Sequence, residues 1–68
     1  MTSAQKDALW KFAQAGGHGF GEFSGISRPT AHVLERKGLI TVSYVSLSHG
    51  KKMALGTITG LGREALAR

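Results

Sequence analysis

The chain has no cysteine, one proline, one Trp, one Tyr and three Phe. Each shortage excludes something. Without cysteine there is no disulfide framework and no thiolate zinc site, which suits a reducing compartment. A single proline, with 41% hydrophobic and 19% charged residues, is not the composition of a disordered chain. No run of about 18 apolar residues occurs, so no membrane-spanning segment is expected. The opening "MTSAQKDALW" lacks the apolar stretch of a signal peptide, and the expected compartment is cytoplasmic. A chain of 68 residues reads as one domain, 1–68. Chains this short bury only about 60% of their unfolded surface, which leaves no room for a substrate domain or a deep catalytic cleft.

Acidic residues are scarce too. Four Asp and Glu stand against nine Lys and Arg, giving +5. An excess of cations in so small a domain favours an acidic partner: nucleic acid first, anionic lipid or an acidic protein surface second. The plainer alternative is a charge that serves solubility alone.

What is present divides into short segments. "TSAQKDALWKFAQAGG" (2–17) reads as a helix that Thr2 or Ser3 caps and Gly16-Gly17 stops, with Leu9, Phe12 and Ala13 inward. Trp10 lies off that centre and is expected to pack through one edge. In "HGFGEFSGI" (18–26) Phe20 and Phe23 are three apart, which predicts one short helical turn with its aromatic side in the core. "SRPTAHVLERKGLI" (27–40) carries a start and a stop: Ser27 as N-cap, Pro29 in the first turn, Gly38 as the left-handed terminator and Leu39 as its apolar contact. On a helical wheel Thr30, Val33 and Leu34 cluster inward with the stem of Lys37. Arg28, His32 and Arg36, four apart in turn, form a row along the outside, with Ala31 and Glu35 between them.

From Leu39 the period changes to two. "LITVSYVSL" (39–47) is β-branched and alternating, with Ile40, Val42 and Tyr44 on one face. "SHGKK" (48–52) reads as a turn and "MALGTIT" (53–59) as the returning strand. A last short helix follows, capped by Thr59, with Leu61 and Leu66 inward. The expected order is helix, short helix, helix, strand, turn, strand, helix.

That order, with "SRPTAHVLERKGLI" and "TITGLGREALA" (57–67) on either side of the hairpin, resembles the winged helix-turn-helix family of bacterial and phage DNA-binding domains. The first motif looks like the family's recognition helix. The second is similar to its close, where a wing strand passes into a final helix. The resemblance implies an α+β fold, a small winged helix-turn-helix with three N-terminal helices, a two-stranded β-hairpin wing and a short C-terminal helix. It also implies a double-stranded DNA-binding protein, a transcriptional regulator or an architectural factor.

In that role the helix at about 27–37 lies in the major groove. Arg28 and His32 come nearest the base edges, and Ala31 leaves room for close approach. Ser27 and Thr30 suit phosphate at the helix N-terminus, and Arg36 and Lys37 reach the flanking backbone. The wing at 48–52 places His49, Lys51 and Lys52 on backbone or in the minor groove. Lys6 and Lys11 read as ordinary solvated charges. A homodimer stays open. So does a second class of function, a module docking on a polymerase, nuclease or other regulator, for which Trp10, Tyr44 and Leu47 are the candidate apolar contacts.

Other patterns are declined. "GLGREA" (60–65) nominally matches a dinucleotide fingerprint, but no second strand and no distant acidic residue follow it. "GGHGFGEF" (16–23) follows a helix and lacks the Gly-Lys-Ser/Thr of a phosphate loop. His18, His32 and His49 fall in different segments, so no metal site is expected. Asp7, Glu22, Glu35 and Glu64 are single charges that suggest no acid–base pair. No enzyme and no cofactor is expected.

Overall fold

Thr2 starts the first helix by a reciprocal cap. Its Oγ1 accepts from Gln5 N at 3.2 Å, while Gln5 Oε1 accepts from Thr2 N at 3.3 Å, so two of the end's orphan donors are satisfied. In this computed structural model, which describes residues 2–14, 17–21 and 24–67, that helix is α1, Ser3–Phe12. It ends before the expected Gly16-Gly17 stop, and Gly16 lies outside the described residues. Ala8, Leu9 and Phe12 are buried and Ala13 packs against them, the 3–4 spacing of an inward stripe. Trp10 is instead 56% exposed.

Between α1 and the next helix the described residues form turns and bends around one short strand. His18–Gly19 form a two-residue strand, β1, paired antiparallel with a later strand as His18 opposite Gly56 and Gly19 opposite Leu55. The flanking Gly17 and Gly21 hold φ of +88° and +127°, values a right-handed helix cannot use. This corrects the expectation of a short helix around Phe20, though Phe23 lies outside the described residues. It also corrects the larger expectation of three N-terminal helices and a two-stranded wing. The described chain holds three helices in all, in the order α-β-α-β-β-α, with a three-stranded antiparallel sheet.

The remaining elements are α2 (Arg28–Arg36), β2 (Ile40–Ser46), β3 (Lys52–Ile58) and α3 (Gly60–Ala67). A Schellman stop ends α2, with Gly38 at φ +75°, Gly38 N donating to Glu35 O at 2.9 Å and Leu39 N to Leu34 O at 3.0 Å. Thr59 then fastens α2 to α3. Its hydroxyl donates to Gly38 O at 2.7 Å and accepts from Gly62 N at 3.1 Å. Leu61 is 59% exposed, against the expectation that it faces inward. The buried stripe of α3 starts one residue later, with Gly62 buried and Ala65 and Leu66 half-buried.

The sheet runs β1-β3-β2, and its core face carries Ile40, Ile58 and Val42 against Phe12, Phe20, Ile26 and Leu34. Burial fades along the hairpin until residues 43–53 are all exposed. Seven paired residues per strand make a ribbon of about 23 Å at strand rise. The molecule accordingly measures 42 × 19 × 19 Å, with the outer hairpin standing clear of the core. No helix among the described residues is long and apolar enough to cross a membrane.

Candidate nucleic-acid interface

The start of α2 is fixed locally. Ser27 has extended backbone and its Oγ accepts from Thr30 N at 3.4 Å, while Pro29 sits in the first turn, where a missing N–H costs nothing. The Ser27 and Thr30 hydroxyls lie 2.8 Å apart. One donates to the other, so one hydroxyl proton of the pair remains for an outside acceptor. Ser27→Ala is expected to lower stability by about 1 kcal/mol, a fall of roughly 4–8 °C in Tm for a domain of this size. A thermal melt by circular dichroism checks it.

Outward from α2 stand Arg28, His32 and Arg36, all exposed. Helical rise spaces them by about 6 Å, so the row runs along roughly two turns. His32 Nδ1 lies 3.7 Å from Glu35 Oε1, with both side chains about half exposed, a pairing that contributes little in water. Ala31 does not belong to the row. It is 0% exposed, because the inward stripe runs through 30, 31, 33 and 34, and it leaves the set of DNA-facing candidates. Lys37 is exposed as the C-cap residue, so its stem does not pack inward as expected.

At the hairpin end a 3₁₀ turn, Ser48–Gly50, reverses the chain. His49 and Gly50 both hold left-handed backbone (φ 69° and 74°), which is uncommon for a residue other than glycine and marks a turn at His49. Leu47 N donates to Lys51 O at 2.6 Å and closes the loop. His49, Lys51 and Lys52 are exposed.

Arg28 and His32 of the helix row meet the hairpin. A cleft of about 220 Å³ is lined by Phe20, Arg28, His32, Tyr44, Lys52 and Ala54. Arg28 and Lys52, far apart in sequence, also share a neighbouring cleft with Gly19, Gly21 and Ser24. Arg28 rests over Gly21, its Nε only 3.6 Å from where a Cβ on that glycine would sit. A chain of edge-to-face rings leads from the core to this wall: Phe12 to Phe20 at 6.0 Å, then Phe20 to His32 at 6.2 Å. Ser27 and Thr30 open on another side, in a cleft against α1 shared with Asp7 and Lys11. Arg36 shares a shallow site with Pro29 and His32.

Charge follows the same division. Residues 27–58 hold five of the nine Lys and Arg and one of the four Asp and Glu, hence +4 of the +5. The rest of the chain, four cations against three carboxylates, contributes +1.

Two residues of this region, Tyr44 and Phe20, are not assigned to a DNA-facing site by the sequence. Tyr44 shares a strand face with Ile40 and Val42, but it lies beyond the point where the core stops and is 65% exposed, which agrees with its place among the candidate apolar contacts. Phe20 was read as core alone, and it also floors the cleft. Lys11 is exposed, and its Nζ comes within 3.3 Å of a Cβ position at Gly25, close to the start of α2. Nothing local in the sequence links Lys11 to Gly25. Among the described residues no cluster of three or more His, Cys, Asp or Glu gathers that could hold a metal ion.

Comparison with known proteins returned no match: no family model, no curated protein and no solved structure is similar to this chain.

Proposed function

We propose that the chain binds double-stranded DNA through α2 and the hairpin arm, and that it serves transcription regulation. One observation carries the reading: +4 of the net charge lies on residues 27–58, the helix and projecting hairpin that share a cleft. Binding of this kind begins with phosphate neutralisation and counterion release. Arg28 and His32, in the N-terminal half of α2, then take base edges in the major groove. An arginine there bonds bidentately to guanine O6 and N7. Arg36, Lys37, Lys51, Lys52 and His49 take backbone phosphates on either side, and the remaining hydroxyl proton of Ser27 or Thr30 adds one contact at the helix end. The resemblance of residues 27–40 and 57–67 to winged helix-turn-helix proteins supports the same assignment.

The test is fluorescence anisotropy with a random-sequence duplex across a salt series. With about five phosphates contacted, the log–log slope is expected near −4 to −5. No binding at low salt refutes the reading.

A second reading rests on the exposed apolar side chains of the arm, Val45, Leu47 and Met53 beside Tyr44. These suit a protein partner, a polymerase, a nuclease or another regulator, with the basic face against an acidic surface. It expects the opposite result, a protein that ignores duplex DNA.

A further inference from the structure

Phosphates require cations and have no use for aromatic rings, yet the cleft between α2 and the hairpin is lined by three: Phe20, His32 and Tyr44. Tyr44 is the ring that the fold itself does not explain. It stands opposite Ala54 in the ladder, whose methyl group covers little of it, and it remains 65% exposed. Ile40 and Val42, on the same face, already supply the core contacts of that strand. A large apolar ring left in water beside two cations is the arrangement by which proteins hold bases of a single strand: stacking for the base, positive charge for its backbone.

The cleft is small. The cleft, at about 220 Å³, falls below the range of about 300 Å³ and upward where drug-sized ligands are held. Arg28 reaches in from α2. Lys52 stands two strand-pair positions out from Tyr44–Ala54, opposite Ser46. Among the described residues no carboxylate lines the cleft, so nothing there repels a phosphate.

We propose that this cleft takes a single unpaired base of a DNA strand, stacked on the Tyr44 ring, with the adjoining phosphates on Arg28 and Lys52. The proposal rests on the DNA-binding reading above. Bases of a continuous duplex are stacked on their neighbours, and removing one costs free energy that an already unpaired base does not require. The protein therefore prefers duplexes that carry an extrahelical base, at a bulge, a mismatch or a frayed end.

The experiment uses three labelled duplexes of one sequence at one salt concentration: fully paired, with a single-thymine bulge, and with the same bulge lacking its base. The bulged duplex is expected to bind about tenfold more tightly than the other two, the scale of one base–aromatic stack. Tyr44→Leu removes that preference, while Tyr44→Phe, which keeps the ring, retains it. Equal affinity for all three duplexes overturns the proposal and leaves the DNA-binding reading standing. A preference that survives loss of the base, or survives Tyr44→Leu, also overturns it, since bulge flexibility alone would then explain the selection. Failure to bind any of the three overturns the DNA-binding reading itself.

Discussion

Gly62→Ala is expected to destabilise the protein by about 3 kcal/mol or more, the upper range for forcing extra atoms into a packed site. An added Cβ would overlap the Leu39 carbonyl oxygen and lie 2.6 Å from Ile58 Cγ1. Neither neighbour can give. The Leu39 carbonyl is backbone, and it accepts from Thr59 N at 3.0 Å. Ile58 is a core residue of β3. Relief therefore means moving α3 away from α2, which breaks the Thr59 hydroxyl bond to Gly38 O. A domain under 80 residues has only about 3–5 kcal/mol in hand, so the variant should be largely unfolded at room temperature. Gly60→Ala in the same helix is the internal control. Its Cβ would meet nothing within 4 Å, and exchanging glycine for alanine at an unstrained position is expected to stabilise by about 0.4–1 kcal/mol. Urea titrations of both variants decide the matter. A Gly62→Ala midpoint equal to that of the parent would mean that the close approach of α3 to the end of α2 is not real.

That pair of glycines also shows why some of the fold could be read in advance and some could not. The signals at 27–40 are local and chemical: a cap hydroxyl, a proline in the first turn, a left-handed glycine with a leucine after it. Each acts within a few residues, and α2 starts and stops where they say. Alternating β-branched residues placed β2, and Thr59 announced its own cap. Other features depend on partners far along the chain. The strand at His18–Gly19 exists because Gly56 and Leu55 pair with it, and aromatic residues three apart look the same in a helical turn and in a bent loop. Small residues mislead in a different way. Ala31 and Gly62 are both buried, but they add little hydrophobic weight to a helical wheel, so the wheel pointed to Lys37 and Leu61 in their place. The candidate site divides along the same line. The row of Arg28, His32 and Arg36 follows from helical spacing, whereas its meeting with Tyr44, Lys52 and Phe20 is made by tertiary structure.

Arg28→Ala combined with Arg36→Ala should lower affinity for the preferred duplex site by about a hundredfold, with little change in stability. Both side chains are exposed, and the packing of Arg28 over Gly21 is the contact the fold loses, so the change in stability is expected to stay within about 0.5 kcal/mol. The two losses differ in kind and can be separated in the single variants. Arg36→Ala removes a phosphate contact, which weakens all sequences alike and reduces the salt slope by about 1. Arg28→Ala removes a base contact of about 1–3 kcal/mol, which is roughly 5- to 150-fold on the preferred site and much less on unrelated sequence. Selection of bound sites from a random pool, followed by salt titration of each variant, measures both effects. Lys6→Ala on α1 serves as the charge control, since it lowers the net charge by one without touching the α2–hairpin face. If Lys6→Ala weakened binding as much as Arg36→Ala, net charge alone would account for the affinity. A folded double variant that binds like the parent would remove α2 from the interface altogether. The remaining basic groups of the arm, Lys51 and Lys52, would then have to explain any binding. Two lysines supply at most two phosphate contacts and a slope near −2, so the salt series of the parent protein already discriminates between an interface that includes α2 and one confined to the hairpin tip.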